Sequence, residues 1–123
     1  MADHPDATVH PGLVVYRFGA AIVFFNSGYF KKRVVELVAS RSNIEWFIVD
    51  GSTINLVDIT GAEMLDALAG ELASRGVRFG LANVRRDVRA ALEHAGALKR
   101  IGTDSIFPSL NTASDAFLSR SKA

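Results

Sequence analysis

The chain has 123 residues, 49% of them hydrophobic and 22% charged, which suits one domain with a real core and argues against disorder. Its 14 basic and 13 acidic residues leave a net charge of +1, so no global field points to nucleic acid as a partner. Cysteine is absent, which excludes disulfides, thiolate chemistry and a cysteine zinc site.

Residues 1–11, MADHPDATVHP, are polar and carry two prolines, unlike a signal peptide. They predict a flexible linker ahead of a domain over 12–123. Asp3, His4, Asp6 and His10 bring metal-type side chains, but nothing in their spacing fixes a geometry. LVVYRF (Leu13 to Phe18) predicts a strand, and AIVFF (Ala21 to Phe25) a second one. The short Gly19-Ala20 connection predicts an antiparallel hairpin between them. The apolar run around Ala20 to Phe25 falls far short of the roughly 18 residues that span a bilayer, so a soluble cytosolic-type domain is expected.

Asn26 or Ser27 is a suitable cap for the next helix, since either side chain accepts from an orphan backbone N–H. Phe30, Val34, Leu37 and Val38 form its apolar stripe, with Lys31, Lys32, Arg33 and Glu36 largely off it; the basic triplet reads first as a solvated surface and, as the alternative, as a contact for anionic lipid or a partner. Ile44 to Val49 is apolar apart from Glu45, as in a parallel strand covered on both faces. A second helix is expected from near Thr60, with Leu65, Leu68, Ala69 and Leu72 buried and Gly76 ending it. VRFGLANV (Val77 to Val84) predicts a strand. The helix after it buries Val88, Ala91, Leu92 and Ala95 and stops at Gly96. SIF (Ser105 to Phe107) predicts a short edge strand closed by Pro108, and Thr112 with Asp115 a capping box for a last helix. The order β-β-α-β-α-β-α-β-α is that of one α/β layer structure. With these core faces assigned, no large apolar patch is left over, and a monomer is expected.

Familiar catalytic patterns are missing. There is no G-x-S-x-G elbow, no G-x-x-x-x-G-K-[ST] phosphate loop, and no G-x-G-x-x-G after a strand. His94 lies within a predicted helix and is expected at the surface. Asp50 and Asp58 form an acid pair without a companion nucleophile or metal ligand. No catalytic residue and no metal site is therefore assigned. The stretch VDITGAEML (Val57 to Leu65) admits two readings. In one, Thr60 and Glu63 form a capping box and Gly61 lets another backbone come close. In the other, loop 50–60 and Asn83-Val84-Arg85-Arg86 lie beyond the carboxyl ends of parallel strands, where ligands and switches collect. Arg85 and Arg86 then open a helix whose N-terminus favours a phosphate, while Asp50 and Asp58 repel one.

Asp50, then Asp58-Ile59-Thr60-Gly61, then a leucine-striped helix ending in Gly76, then Val77 to Val84, together resemble a STAS domain. The name joins sulfate transporters and anti-sigma-factor antagonists. Pro11 to Phe18, Phe24-Phe25-Asn26-Ser27 and Tyr29 to Val34 are similar to the cytoplasmic C-terminal domain of SulP-type anion transporters, and the likeness extends over roughly residues 11–120. It implies a mixed, mostly parallel sheet of four to five strands with about four helices, the anti-sigma-factor-antagonist-like fold. It implies a non-catalytic regulatory domain of a sulfate or other anion transporter, at the cytoplasmic face of the plasma membrane. The partners so implied are the transmembrane transport domain of the same polypeptide, a regulatory protein or kinase, and a purine nucleotide.

In the antagonist branch the motif resembles D-S-S-G, whose first serine accepts phosphate. That serine falls on Ile59, which has no hydroxyl, and Thr60 matches the second. The departure favours the transporter branch over a free-standing antagonist that switches partners. The resemblance implies a regulatory loop of Asp50, Ser52, Asp58, Thr60 and Gly61, with Thr60 the candidate phosphoacceptor. For a nucleotide (GTP/GDP or ATP) it points to Asp50, Ser52, Thr53, Thr60, Asn83, Arg85 and Arg86.

Overall fold

The computed structural model describes residues 7–120. Strands β1 (Ala7–His10), β2 (Leu13–Arg17), β3 (Trp46–Asp50), β4 (Arg78–Ala82) and β5 (Ile106–Phe107) form one sheet in the order of the chain. β1 is antiparallel to β2, and every later pair is parallel. The helices are α1 (Ser27–Ala39), α2 (Ile59–Ser74), α3 (Arg86–His94), α4 (Ala97–Ile101) and α5 (Leu110–Ser119). This is the mostly parallel α/β sheet that the alternation implied.

β3 is buried along its whole length, because both faces of the sheet are covered. Phe47 and Val49 join Val14, Tyr16, Phe79 and Leu81 against the stripes of α1 and α2. Trp46 and Ile48, offset by one residue, pack with Leu13, Ala82 and Phe107 under Ala113 and Phe117 of α5. The period-two alternation of the strand thus feeds two cores. α1 buries Phe30, Val34, Leu37 and Val38, and α2 buries the expected Leu65, Leu68, Ala69 and Leu72. Arg120 closes the α5 side, donating from Nε and Nη2 to the two Glu45 oxygens at 2.9 and 2.8 Å.

The first hairpin lies elsewhere than expected. β2 pairs with Ala7–His10 across the Pro11-Gly12 turn, where Gly12 sits at φ 90°, so residues 7–10 of the expected linker are a strand. Asp3, His4 and Asp6 lie outside the described residues. His10 stacks on Phe117 with ring centroids 6.5 Å apart. Ala21 to Phe25 is not a strand. It contributes a single parallel bridge, Ile22 to Val57, and then turns. The cause is Asn26, which stands at the N-cap position of α1 as expected but makes no side-chain bond to the helix. Its Oδ1 accepts from the Val23 N–H at 2.9 Å and its Nδ2 donates to the Ala21 carbonyl at 2.7 Å. A side chain that satisfies backbone groups locally competes with a ladder, and here it prevails over β-branched propensity. α4 was not expected. The chain re-enters a helix just after Gly96 and buries Ala97, Leu98 and Ile101. α5 is capped by Ser109, which accepts from the Thr112 N–H at 3.0 Å, rather than by Thr112.

Candidate functional site

The sequence-predicted residues gather at the carboxyl ends of β2, β3 and β4, but in three groups. The first centres on Asp50, the last residue of β3, whose side chain is 1% exposed. Parallel register places Arg17 and Ala82 on either side of it. Asp50 shares the parity of Trp46 and Ile48 and so lies on the α5 side of the sheet. Its Oδ2 accepts from Arg17 Nε at 3.1 Å and Nη2 at 3.0 Å. Its Oδ1 accepts from the Ser52 N–H at 3.0 Å and Asn83 Nδ2 at 3.3 Å. Burial, the largest influence, works to raise the Asp50 pKa. The Ser52 backbone and hydroxyl, Asn83 and Arg17 together outweigh it and leave the pKa below its ordinary value. Asn83 reaches Asp50 from the left-handed region, at φ 57°, a conformation that asparagine tolerates better than most residues. Thr53 donates its hydroxyl to the Phe18 carbonyl at 2.8 Å, tying loop 51–58 to the end of β2.

The second group opens α2. Asp58 is its N-cap, with Oδ1 accepting from the Gly61 N–H at 2.7 Å. Its Oδ2 accepts from the Phe24 N–H at 3.0 Å, so one carboxylate holds both the helix and the neighbouring turn. The capping box expected from Thr60 and Glu63 is therefore replaced by a cap two residues earlier. Thr60 is exposed, and so is Ile59. Gly61 fulfils its expected role: a Cβ there would lie 2.3 Å from the Ile22 carbonyl oxygen. Glycine alone allows α2 to sit on the Ile22–Val57 bridge.

Arg85 and Arg86 are exposed at the start of α3. Arg85 Nε lies 3.5 Å from Asp87 Oδ1, and that same oxygen accepts from the Val88 N–H at 3.1 Å. The anion position at this helix start is thus occupied by the chain's own carboxylate. Beside Asp58, an open groove of about 770 Å³ runs between α2 and α3, with Val57, Ile59, Glu63, Ala91 and His94 along it. His94 is exposed, as expected.

Asp50 and Asp58 do not form an acid pair: their oxygens are committed to separate structural bonds on different elements. Arg17 was missed in the sequence, because its tie to Asp50 depends on strand register. The groove was missed as well, since small residues such as Ala91 carry no chemical signal.

A family model described as STAS domain matches residues 4–113 of the chain. A probable sulfate transporter of Mycobacterium tuberculosis (strain ATCC 25618 / H37Rv), Rv1739c, is 40% identical over 119 residues, which is 96% of this chain and 21% of that protein. The chain thus spans about a fifth of the length of the curated relatives it matches first. The SulP transporter STAS domain of Vibrio cholerae superposes with a TM-score of 0.75 at 21% identity, covering 94% of this chain and 88% of that one. A putative anti-sigma factor antagonist of Thermotoga maritima superposes with a TM-score of 0.75 at 18% identity, covering 90% and 91%. At such identities the superpositions speak to the fold.

Proposed function

The chain belongs to the STAS-domain family, and on that premise we propose that it is the non-catalytic regulatory domain of a larger SulP-type anion transporter, with sulfate the anion carried. The transmembrane transport domain is then its partner within one polypeptide, and the cytoplasmic face of the plasma membrane its place. No helix among the described residues is long and apolar enough to cross a membrane itself. The reading is supported by likeness across 96% of the chain to a protein named as a probable sulfate transporter.

One observation carries the regulatory part. The corner Asp58-Ile59-Thr60-Gly61 spends its acid on backbone N–H groups and leaves Ile59 and Thr60 facing solvent beside a groove. A corner built this way is a contact point for a regulatory protein or a kinase. The Thr60 hydroxyl takes no part in the cap, so a phosphate on it leaves the Asp58 bonds in place. It adds about −1.5 to −2 charges at pH 7 next to Asp58 and Glu63, and so alters what the groove accepts. The state of the corner biases transport only through different affinity for two states of the transport domain. The test is sulfate uptake by the full-length transporter carrying Thr60→Glu. Uptake and membrane abundance both unchanged would remove the regulatory role.

Nucleotide sensing is the finer version of this reading, with GTP/GDP or ATP held by Asn83, Arg85 and Arg86 and by Ser52 and Thr53 of the loop. The exposed Arg86 favours it; the commitment of Asn83 to Asp50 and of Arg85 to Asp87 weighs against tight binding. Amide shifts at these residues on adding GTP or ATP test it, and their absence at millimolar nucleotide would end it. A free-standing antagonist is the alternative function, and Ile59 in place of a phosphorylatable serine speaks against it.

A further inference from the structure

The turn that stands where a second strand was expected carries two phenylalanines into solvent. Phe24 is 65% exposed and Phe25 83%, and their rings stack with centroids 4.6 Å apart. The backbone beneath them is fixed. The Phe24 N–H donates to Asp58, and the Val23 carbonyl accepts from the N–H groups of Asn26 and Ser27 at 3.0 and 2.9 Å. Their exposure is therefore imposed by the fold. Leu56 and Ile59 join them, because the Ile22 N–H donates to the Leu56 carbonyl at 2.9 Å and Asp58 precedes Ile59. Tyr29 lies one helical turn beyond Phe25. Apart from Leu118, all the large apolar side chains that the described residues leave exposed belong to segments at this one end of the sheet: the 22–25 turn, the start of α1 and the 56–59 entry to α2. Scattered exposed apolar residues need no explanation, but a convergent set marks a contact surface. The expectation that no apolar patch would be left over is thereby corrected.

Charges of both signs meet at this end in equal number, but they differ in what engages them. Arg17, half-exposed, ends β2, and Arg85 and Arg86 begin α3. Lys32 is exposed on α1, three residues after Tyr29. Among the described residues, no acid lies within ion-pair distance of Lys32 or Arg86. The acids here are mostly committed: Asp50 to Arg17, Asp58 to two N–H groups, Asp87 to Arg85. Glu63, on the groove flank, is the exception. An apolar tip whose two cations without an acidic partner among the described residues, Lys32 and Arg86, stand at the same end is complementary to an anionic bilayer. Shape points the same way. Two stacked rings at the apex of a tight turn are convex, and a fluid interface moulds around a convex wedge without needing a matching pocket. Tyr29 offers the amphipathic ring that suits the headgroup level.

We propose that this end of the domain docks on an anionic lipid surface. Phe24 and Phe25 enter the boundary between headgroups and acyl chains, and Lys32 and Arg86 rest on lipid phosphates. Docking of the isolated chain needs no transport activity, so it stands or falls separately from the reading above.

The experiment is flotation of the 123-residue chain with large unilamellar vesicles, either pure phosphatidylcholine or phosphatidylcholine with a minority of phosphatidylglycerol. The chain is expected to float with the anionic vesicles, and Phe24→Ser/Phe25→Ser to lose about tenfold or more of that partitioning. Lys32→Glu/Arg86→Glu is expected to weaken it in a salt-dependent way. Since Trp46 is buried, Phe25→Trp supplies a separate reporter. Its emission should shift to the blue on adding anionic vesicles and be quenched by brominated acyl chains. All these positions are exposed, so unchanged thermal midpoints show the variants folded. Three results would overturn the proposal. The chain could fail to float with either vesicle, or the double serine variant could float as well as the parent. Light scattering could instead show a lipid-free dimer that the serine variant dissolves, which would make the patch a self-association surface.

Discussion

Replacing Gly61 with alanine tests the joint on which the corner rests. The new Cβ would lie 2.3 Å from the Ile22 carbonyl oxygen and 3.0 Å from its carbonyl carbon. These are backbone atoms and cannot rotate away. Either α2 or the 22–24 turn must move. The bonds at risk are Asp58 N–H to the Ile22 carbonyl at 3.2 Å and Phe24 N–H to Asp58 at 3.0 Å. Helix propensity alone favours alanine over glycine by about 1 kcal/mol. Against it stand overpacking at about 1–3 kcal/mol and two strained hydrogen bonds at about 1 kcal/mol each. The net expectation is a loss of about 2–4 kcal/mol, or roughly 10 °C in Tm for a domain of this size. Gly70→Ala is the matched control. It lies in the same helix, but its Cβ would meet the far end of Arg100, with Nη1 at 2.7 Å, a half-exposed side chain able to swing into water. That variant is expected to be neutral or stabilised by up to about 1 kcal/mol. Urea denaturation measures both, and amide exchange at Phe24 reports the joint directly. A Gly61→Ala protein as stable as Gly70→Ala, with Phe24 still protected, would refute the contact.

Three further outcomes follow from the geometry. Asp58→Ala should cost about 1–2 kcal/mol through the lost cap, whereas Thr60→Ala should stay within about 0.5 kcal/mol; the reverse order by denaturant melts would restore Thr60 as the cap. Asp50 has a folded pKa below its ordinary 3.8, so its contribution is present in full above the unfolded value and is lost as pH falls through the folded one. Asp50→Asn should lower stability at neutral pH by about 1–3 kcal/mol, the lower end applying because Arg17 is half-exposed, and should flatten the fall of Tm below about pH 4. The side-chain bond from Arg120 holds Glu45 below its usual pKa of 4.5; Arg120→Ala should let it rise, as a carbon-detected carboxyl titration would show.

The parts of the fold that were legible are those where hydrophobic period and burial carry the same message. The stripes of α1 and α2 sit on the core as spaced, and β3 is buried on both faces as its unbroken apolar run required. What misled was the segment Ala21 to Phe25. By composition it is a strand, and its apolar residues invite burial, yet a single asparagine closes it into a turn. The partner of β2 then had to come from residues 7–10, ATVH, four residues too short to show a period and set in a polar, proline-bearing lead-in. α4 was invisible for a related reason. Five residues are too few to show a period, and its burial is decided by contact with α2 rather than by its own pattern.

The site divides along the same line. Local chemistry could be read: an acid, a hydroxyl and a glycine at a strand-to-helix corner, with Gly61 needed for close backbone approach. Relations between elements could not. Asp50 and Asp58 look equivalent in sequence, each an acid in one loop. The sheet separates them: Asp50 is sealed by Arg17 from the neighbouring strand, and Asp58 is drawn to the start of α2 by a turn more than thirty residues earlier. Because both acids are bound in this way, Ile59, Thr60, Phe24 and Phe25 are left facing outward at the corner, with Glu63 and His94 along the groove beside it. On this surface Asp58 bonds inward while the neighbouring apolar groups face outward. The same Asp58 carboxylate fixes both halves of it, the phenylalanine turn and the threonine corner. Asp58→Ala should therefore impair the proposed lipid docking and the proposed Thr60-dependent regulation together, whereas Phe24→Ser/Phe25→Ser should impair only the first. Flotation and uptake measured on the same two variants would separate these cases, and equal loss of both functions in the serine variant would contradict that division.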